Sequence, residues 1–504
     1  MTIRAFSSPS KQNIREQSMR APFFRVSASL SALVIALAGS ASADPAGGIV
    51  IDGSATIGVS GQTTTINQST DKAIIEWQSF NVAGNEKVDF VQPSRVSITL
   101  NRILGGGPSM IDGQIDANGR VFIINGDGVV FGAGAKIDAS GLLAASTDIA
   151  NANFMSGNFV FDQPGSPAAA VVNHGTIDVR ESGMIAFVAP KVQNSGVLKA
   201  FRGKAALGSG EAFTLDFFGD QLIVFAAGSA PGIKSGEILV DGEIRAESGI
   251  ILLTATTARD FVDTVINVEA DLVARSASRQ GGKIILAGGD QSLINVAAAL
   301  DASGTPGGSI SVTGGKIDVA ASAELLTDAK TGLADGGDIV VHSRVETKFA
   351  GLASSEPGAS SGVGGDIALG SDGVLIFTGT ARAGTPPRAG VITLNGQEDD
   401  DGGAGGGSGG GSGGGSGPPI IIPGPPVKEE ASDSLTEVVG EAGKVYEGSE
   451  TYSDPPEFGG KVLIGGDTAF DFLAEEDGGS GAGDAQLLCM HGLSAAACGS
   501  GDGG

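Results

Sequence analysis

Histidine, cysteine, tyrosine and tryptophan are almost missing from this chain of 504 residues, which holds 3, 2, 2 and 1 of them. Two cysteines cannot build a Cys-rich structural zinc centre, which takes about four ligands. His174, His342 and His491 lie far apart and without metal-ligand spacing. Aromatic residues are only 5% of the chain, so sugar recognition by ring stacking has little to work with, and Trp77 reads as a core or capping residue. Positive charge is scarce as well: 31 basic against 57 acidic residues leave a formal charge of −26. Coulomb repulsion then opposes binding to nucleic acid or to an anionic membrane surface, and nucleic acid is set aside as a partner. The apolar run "SLSALVIALA" (29–38) is too short to span a bilayer.

Catalytic constellations are equally sparse. "GASSG" (358–362) fits the nucleophile-elbow pattern but sits in a Gly/Ser loop rather than between a strand and a helix. "GGDQ" at 288 and "GGDI" at 336 and 364 look like calcium-binding nonapeptides, yet lack the fuller G-G-x-G-x-D spacing. No catalytic residue, metal site or cofactor is expected.

What is abundant is glycine, 83 residues of it, among short β-branched stretches. This composition suits many short strands and tight turns better than a compact α/β enzyme. Apolar residues recur with period 2 in pieces bounded by Gly, Asn, Asp and Ser, and no long stretch has a helical period. One pattern repeats, G-x-I-x-[V/L], at 175, 236, 282, 308, 315, 337, 365 and 390. The copies at 282, 308, 337, 365 and 390 are 25 to 29 residues apart, as in a solenoid whose loops vary while its strands stay in register. In "GDIVV", Ile339 and Val341 turn to one face and Asp338 and Val340 to the other, and a lone coil cannot bury the first face. Stacked coils can, and their glycines are expected at corners that need positive φ. The expected fold is all-β: a right-handed parallel β-helix of about 14 coils over residues 46–395, followed by a flexible, largely disordered acidic tail.

The ends carry processing and attachment signals. Scattered Arg and Lys, the apolar run and "ASA" (41–43) before Asp44 read as an export signal over residues 1–43, with Met19 as an alternative start. Residues 398–426 form a Gly/Ser- and Pro-rich linker, and 427–504 an acidic tail with one short strand expected at 461–466. Cys489 and Cys498 are expected to close a small disulfide loop in an oxidising compartment.

Residues 80–147 add a resemblance. "FNV" (80–82), "VDFVQPS" (88–94), "NRILGGGPSMIDGQIDANGRVFIINGDGVVFG" (101–132) and "AKIDASGLLAAST" (135–147) resemble the haemagglutination-activity domain of filamentous haemagglutinin-like, two-partner-secreted exoproteins. With "NHGTIDVRESGMIAFVAPKVQNSGVLKAFRGKAALGSGEAFTLDF" (173–217), the resemblance covers about residues 48–225. It implies a β-helix domain over residues 44–225, continued by repeats over 226–397, that carries a secretion signal read by an outer-membrane β-barrel transporter with periplasmic receptor domains. By resemblance, Asn101 and Arg102 and the turn Asn125, Gly126, Asp127 and Gly128 occupy signature positions. The family's turn usually reads Asn-Pro-Asn-Gly, so Gly126 and Asp127 depart from it, and the preset φ of proline is lost. Read from the residues alone, Asn101 and Asn125 are corner asparagines that bond backbone or stack on neighbouring coils.

The leading functional reading is therefore an exported adhesin-like exoprotein, secreted or attached to the bacterial surface, with an unidentified surface or glycan receptor. Two others stay open. One is a β-helical polysaccharide-processing enzyme using the carboxylates of "ARDFVD", where Arg259, Asp260 and Asp263 could share a ledge. The other is an architectural matrix or surface component that assembles laterally.

Overall fold

The protein is described from a computed structural model, which covers residues 45–396 except 218–221, 226–235, 256–264, 277–280, 332, 359–361 and 385–387, together with the backbone of three later strands. The chain forms two compact units, Met1–Ala43 and Asp44–Gly504, and the description concerns the second. The export signal, the triad Arg259, Asp260 and Asp263, the centre of "GASSG", and Cys489 and Cys498 lie outside the described residues.

Strands of the second unit stack into a parallel β-helix with three faces. A late coil shows the path: Ile367–Ser371 on the first face, Val374–Phe377 on the second and Thr380–Arg382 on the third, before Ile392–Asn395 returns to the first. On the first face each strand pairs in parallel with its counterparts one coil before and after, from Lys72–Trp77 through to Ile392–Asn395. Backbone N–H and C=O groups are thereby satisfied between coils, and inward side chains merge into one apolar column that runs from Ile66 to Leu394.

The five regularly spaced repeats land on five successive coils of this face. Ile284, Ile310, Ile339, Ile367 and Ile392 stand directly opposite one another. Ile339 and Val341 are fully buried and Val340 is 40% exposed, the alternation read from "GDIVV". The copies at 236 and 315 lie on the second face and the copy at 175 on the third, so the motif marks a strand after a corner rather than one particular side.

The glycines of the repeat have a different cause from the one expected. Gly282, Gly308, Gly337, Gly365 and Gly390 are not in the positive-φ region. They form a column in which a Cβ on Gly308, Gly337, Gly365 or Gly390 would strike the carbonyl oxygen of the corresponding glycine in the coil before, while a Cβ on Gly282 would strike Ala274 O across the same corner. Close approach of backbones at the corner is the constraint. Positive φ does decide Gly61, at φ +60 in the tight hairpin between Ala55–Ser60 and Thr63–Gln68.

Among the described residues up to 396, twelve strands occupy the first face, against the 14 coils expected. Two coils are interrupted: 43 residues separate the strand starts at 141 and 184, and 46 separate those at 204 and 250, against 20 to 33 elsewhere. The interruptions supply a second layer. Asp148–Ile149 and Val160–Gln163 from one, and Phe213–Leu215 and Ile223–Phe225 from the other, make a four-stranded antiparallel sheet. The helix Asn151–Ser156, alone among the described residues, completes it and ends at Gly157 with φ 84.

Several polar groups buried inside the solenoid pair with one another. Asn173 donates to Asn194 Oδ1 across adjacent coils at 2.8 Å, as expected of corner asparagines. Asp301, with its side chain 5% exposed, accepts from Ser303 N at 3.0 Å and meets Arg275 Nη2 at 2.5 Å. Burial alone would raise this carboxyl, but the Ser303 hydrogen bonds and the Arg275 charge win and hold it below the ordinary carboxylate range.

Two outcomes follow. Gly337→Ala forces neighbouring backbones apart and should destabilise the protein by about 1–3 kcal/mol, read as a lowered urea midpoint. Because the folded Asp301 titrates below its unfolded value, its contribution is present above about pH 4 and is lost as pH falls through the folded value. Asp301→Asn should flatten that acid limb of stability against pH, with little change in slope above it.

Candidate functional site

The residues singled out in the sequence sit where the added layer meets the first face. The outward side chains of that face, Ile74, Leu100, Phe122, Leu143, Ala186, Ala206 and Leu252, belong to a second apolar core shared with the added sheet. Phe122 is its hub, fully buried, with ring centroids 6.2 Å from Phe154, 6.0 Å from Phe159 and 6.4 Å from Phe161. Phe161 and Phe213, one from each interruption, stack at 4.4 Å and 2° and so tie the two inserted segments together. Over these coils the first face is thus buried on both sides, which is unusual for a solenoid wall and explains why 120–125 is almost continuously apolar.

Cations clamp the layer along its margins. Arg102, 8% exposed, donates from Nη1 to Asn151 Oδ1 at 2.7 Å and from Nη2 to Ile149 O at 2.7 Å. Its Nε lies 2.7 Å from Asp148 Oδ2, a charge contact without hydrogen-bond alignment, and Glu76 Oε1 on the preceding coil is 3.3 Å from Nη1. On the opposite margin Lys72 donates to Met155 O at 2.8 Å, Lys204 donates to Phe217 O at 3.2 Å, and the Arg120 guanidinium lies 4.4 Å from the Phe217 ring.

Asn101 is the inward neighbour of Arg102 and is fully buried. It accepts from Trp77 Nε1 at 3.0 Å and donates to Phe122 O at 3.2 Å, so one amide links three consecutive coils. Trp77 itself is 1% exposed and packs edge-on to Phe80 at 5.3 Å, a core residue as read from the sequence.

Asn125 to Gly128 form the corner from the first face to the second. Asn125, 1% exposed, accepts from Asp127 N at 2.9 Å and donates to Gly107 O at 3.1 Å and Ser109 Oγ at 3.0 Å in the coil before. Asp127 is exposed and accepts from Gly107 N at 2.6 Å. Gly128 is required: its φ is +110 and a Cβ would strike Ala170 backbone. Gly126 is not, since a Cβ there would come no closer than 3.5 Å to Gly165 Cα. The glycine that replaces the usual proline is therefore accommodated without being needed.

The structure brings Asn101, Arg102 and the turn at 125–128 onto adjacent coils, and each is engaged in holding coils or layers together. Sequence reading missed Glu76, Asp148 and Asn151, the partners of Arg102, and the whole phenylalanine layer. The signal was present in the run of Phe154, Phe159, Phe161, Phe213, Phe217 and Phe225 in a chain otherwise poor in aromatics.

Residues 41–312 match the model of the TPS secretion domain, TPS denoting two-partner secretion. The chain belongs to this family. The match reaches well past residue 225, where the resemblance had been expected to end. The TPS domain is similar to the crystal structure of the HMW1 secretion domain from Haemophilus influenzae, with a TM-score of 0.61 and 27% identity over 70% of this chain and 95% of that one. Two heme/hemopexin-binding proteins from Haemophilus influenzae are 31% identical over 259 residues and 39% identical over 97. These alignments span 28% and 10% of the relatives' lengths, so the chain shares only a fraction of each. Those relatives are named for binding rather than for catalysis. As a TPS exoprotein the chain is exported, to the medium or to the cell surface.

Arg102→Met keeps the stem but removes the clamp. It should cost about 1–3 kcal/mol and make the chain near 148–163 the first site of limited proteolysis, with the coils beyond 283 cleaved no faster than before.

Proposed function

We propose that this chain is the exported partner of a two-partner secretion pair, whose segment 101–132 is read by an outer-membrane β-barrel transporter with periplasmic receptor domains. The observation that carries this is the TPS secretion domain match over residues 41–312. Burial adds the order of events. Asn101 and Asn125 are 0% and 1% exposed and Arg102 8%, so a partner touches their side chains only before the coils close. Recognition of these positions therefore precedes folding, and Asp127, exposed at the corner, is the one side chain of the set offered by the folded domain.

Folding outside the cell then yields a rigid acidic rod. The full chain's net charge of −26 disfavours anionic surfaces, and we assign the exported protein an adhesin-like role toward a surface or glycan receptor of unidentified kind. Cys489 and Cys498, if joined, make a knot at the C-terminus that resists passage through the transporter and holds the chain at the surface. The enzymatic reading rests on Arg259, Asp260 and Asp263, which lie outside the described residues.

Immunoblots of cells and medium, with and without the partner transporter, test the reading. External protein should be lost without the transporter and equally lost when residues 101–132 are deleted. Protein that reaches the outside without the transporter contradicts the proposal. Cys489→Ser should move the surface population into the medium, and an unchanged ratio of surface to medium removes the tether from the account.

A further inference from the structure

Among the described residues Phe201 is the one exposed phenylalanine, at 41%, where the others are half-buried or buried. It stands at the corner from the third face to the first. Ser182, Arg202 and Ser248 hold this corner in three successive coils with φ of 60, 52 and 55, and a glycine follows each. Residues with a side chain seldom enter this left-handed region, and serine tolerates it better than a long side chain does. In the coils on either side the corner reads Glu-Ser-Gly, at 181–183 and 247–249; in the middle one it reads Phe-Arg-Gly. The left-handed residue interrupts the strand alternation, so Phe201 and Arg202 are both exposed although consecutive, and the guanidinium lies 5.3 Å from the ring centroid. Arg202 Nη1 is 2.8 Å from Glu181 Oε1, and Arg95 donates to Glu181 O from a corner loop three coils earlier.

A cleft of about 310 Å³ opens on the third face beside this corner. Its lining includes Asp89, Val91, Asp116, Asn118, Asp138 and Arg180. Arg180 joins the two features: Val179 stands opposite Ala200, so Arg180 and Phe201 take the same place in neighbouring coils. Along the cleft Asp89 stands opposite Asp116 and Asp116 opposite Asp138, about 4.8 Å apart from coil to coil. Lys87 holds Asp116 at 2.7 Å, whereas Asp138 lies 3.6 Å from Arg180 Nε and keeps 65% of its side chain exposed. Val91, 47% exposed, adds an apolar wall.

A ligand for this surface needs hydroxyl groups that donate to carboxylates and accept from a guanidinium, and an apolar face to lie on Phe201. Three carboxylates against one guanidinium in the cleft repel an anion. Neutral sugars combine these properties, and a pyranose ring is about as long as the step between coils. We propose that the cleft and the Phe201 corner bind a neutral oligosaccharide that lies along the rod, with Phe201 stacked on one sugar ring and Asp89, Asp138 and Arg180 bonding hydroxyls of its neighbours. The site rests on the adhesin-like reading and gives the receptor its chemical class. One exposed ring makes one stacking contact, so affinity for a single chain is modest and grows with several copies of the protein on one surface.

The full exported chain, purified and passed over immobilised neutral oligosaccharides of gluco, galacto and manno configuration with carboxylated chains of equal length beside them, tests the site. It should retain on a neutral series and not on the carboxylated one. Phe201→Ala should weaken retention about tenfold and Phe201→Trp should preserve it, both with the parent's urea midpoint because the ring is at the surface. Arg180→Met, which keeps an unbranched stem, should weaken it as well. Retention on no neutral series, stronger retention on carboxylated chains, or retention unchanged by Phe201→Ala overturns the site. Attachment of the parent chain to cells is measured alongside: attachment without glycan retention overturns the site and leaves the adhesin-like reading standing, and loss of both overturns the two together.

Discussion

The interaction on which the rest depends is the backbone ladder between coils, with a spacing of about 4.8 Å. At that distance a coil has room for glycine where the chain turns in, and the column Gly282, Gly308, Gly337, Gly365 and Gly390 is the visible result. The same spacing lines isoleucine upon isoleucine on the inside and asparagine upon asparagine at corners, as at Asn173 and Asn194. Each coil is unstable alone and is supported by its neighbours, so the ends and the interruptions are where the fold needs special devices.

Two such interruptions create the domain's distinctive feature. By leaving the solenoid after Ala145 and Ser209, the chain places a phenylalanine-rich sheet over a face that would otherwise be wet. Covering an apolar wall requires polar closure at its margins, and Arg102 supplies it on one side while Lys72, Arg120 and Lys204 supply it on the other. The residues that look like recognition signals by resemblance are the ones that make this closure and the adjoining corner. Under the proposed function, the same segment serves first as an address for the transporter and afterwards as a structural joint.

Much of the solenoid was legible because its rule is local: a corner glycine followed by alternating apolar residues, repeated at 25 to 29 residues, implies stacked strands with no knowledge of long-range contacts. Ile339 and Val341 inward and Val340 outward follow from that rule alone. The reason for the glycines was not legible, since positive φ and close approach select the same residue. Nor was the added layer. Its strands Val160–Gln163 and Phe213–Leu215 meet across about 50 residues, and nothing short-range announces that pairing. Asn101, Arg102 and Asn125 were readable as special, but their burial was not: a polar residue within an apolar strand looks the same whether it faces a partner or bridges two coils. The positions of Asn101, Arg102 and Asn125 were readable along the chain, while their geometry awaited the fold.

The central claim is that the signature residues meet their partner before the coils close. A photo-crosslinking amino acid placed at Asn125 or at Asp127 separates the two states most directly, with the transporter's periplasmic receptor domains presented either to chain in transit or to purified, folded protein. The account predicts crosslinks from position 125 only with chain in transit. Equal crosslinking from position 125 to the folded protein would contradict it and would mean that the transporter reads a surface the closed β-helix already displays.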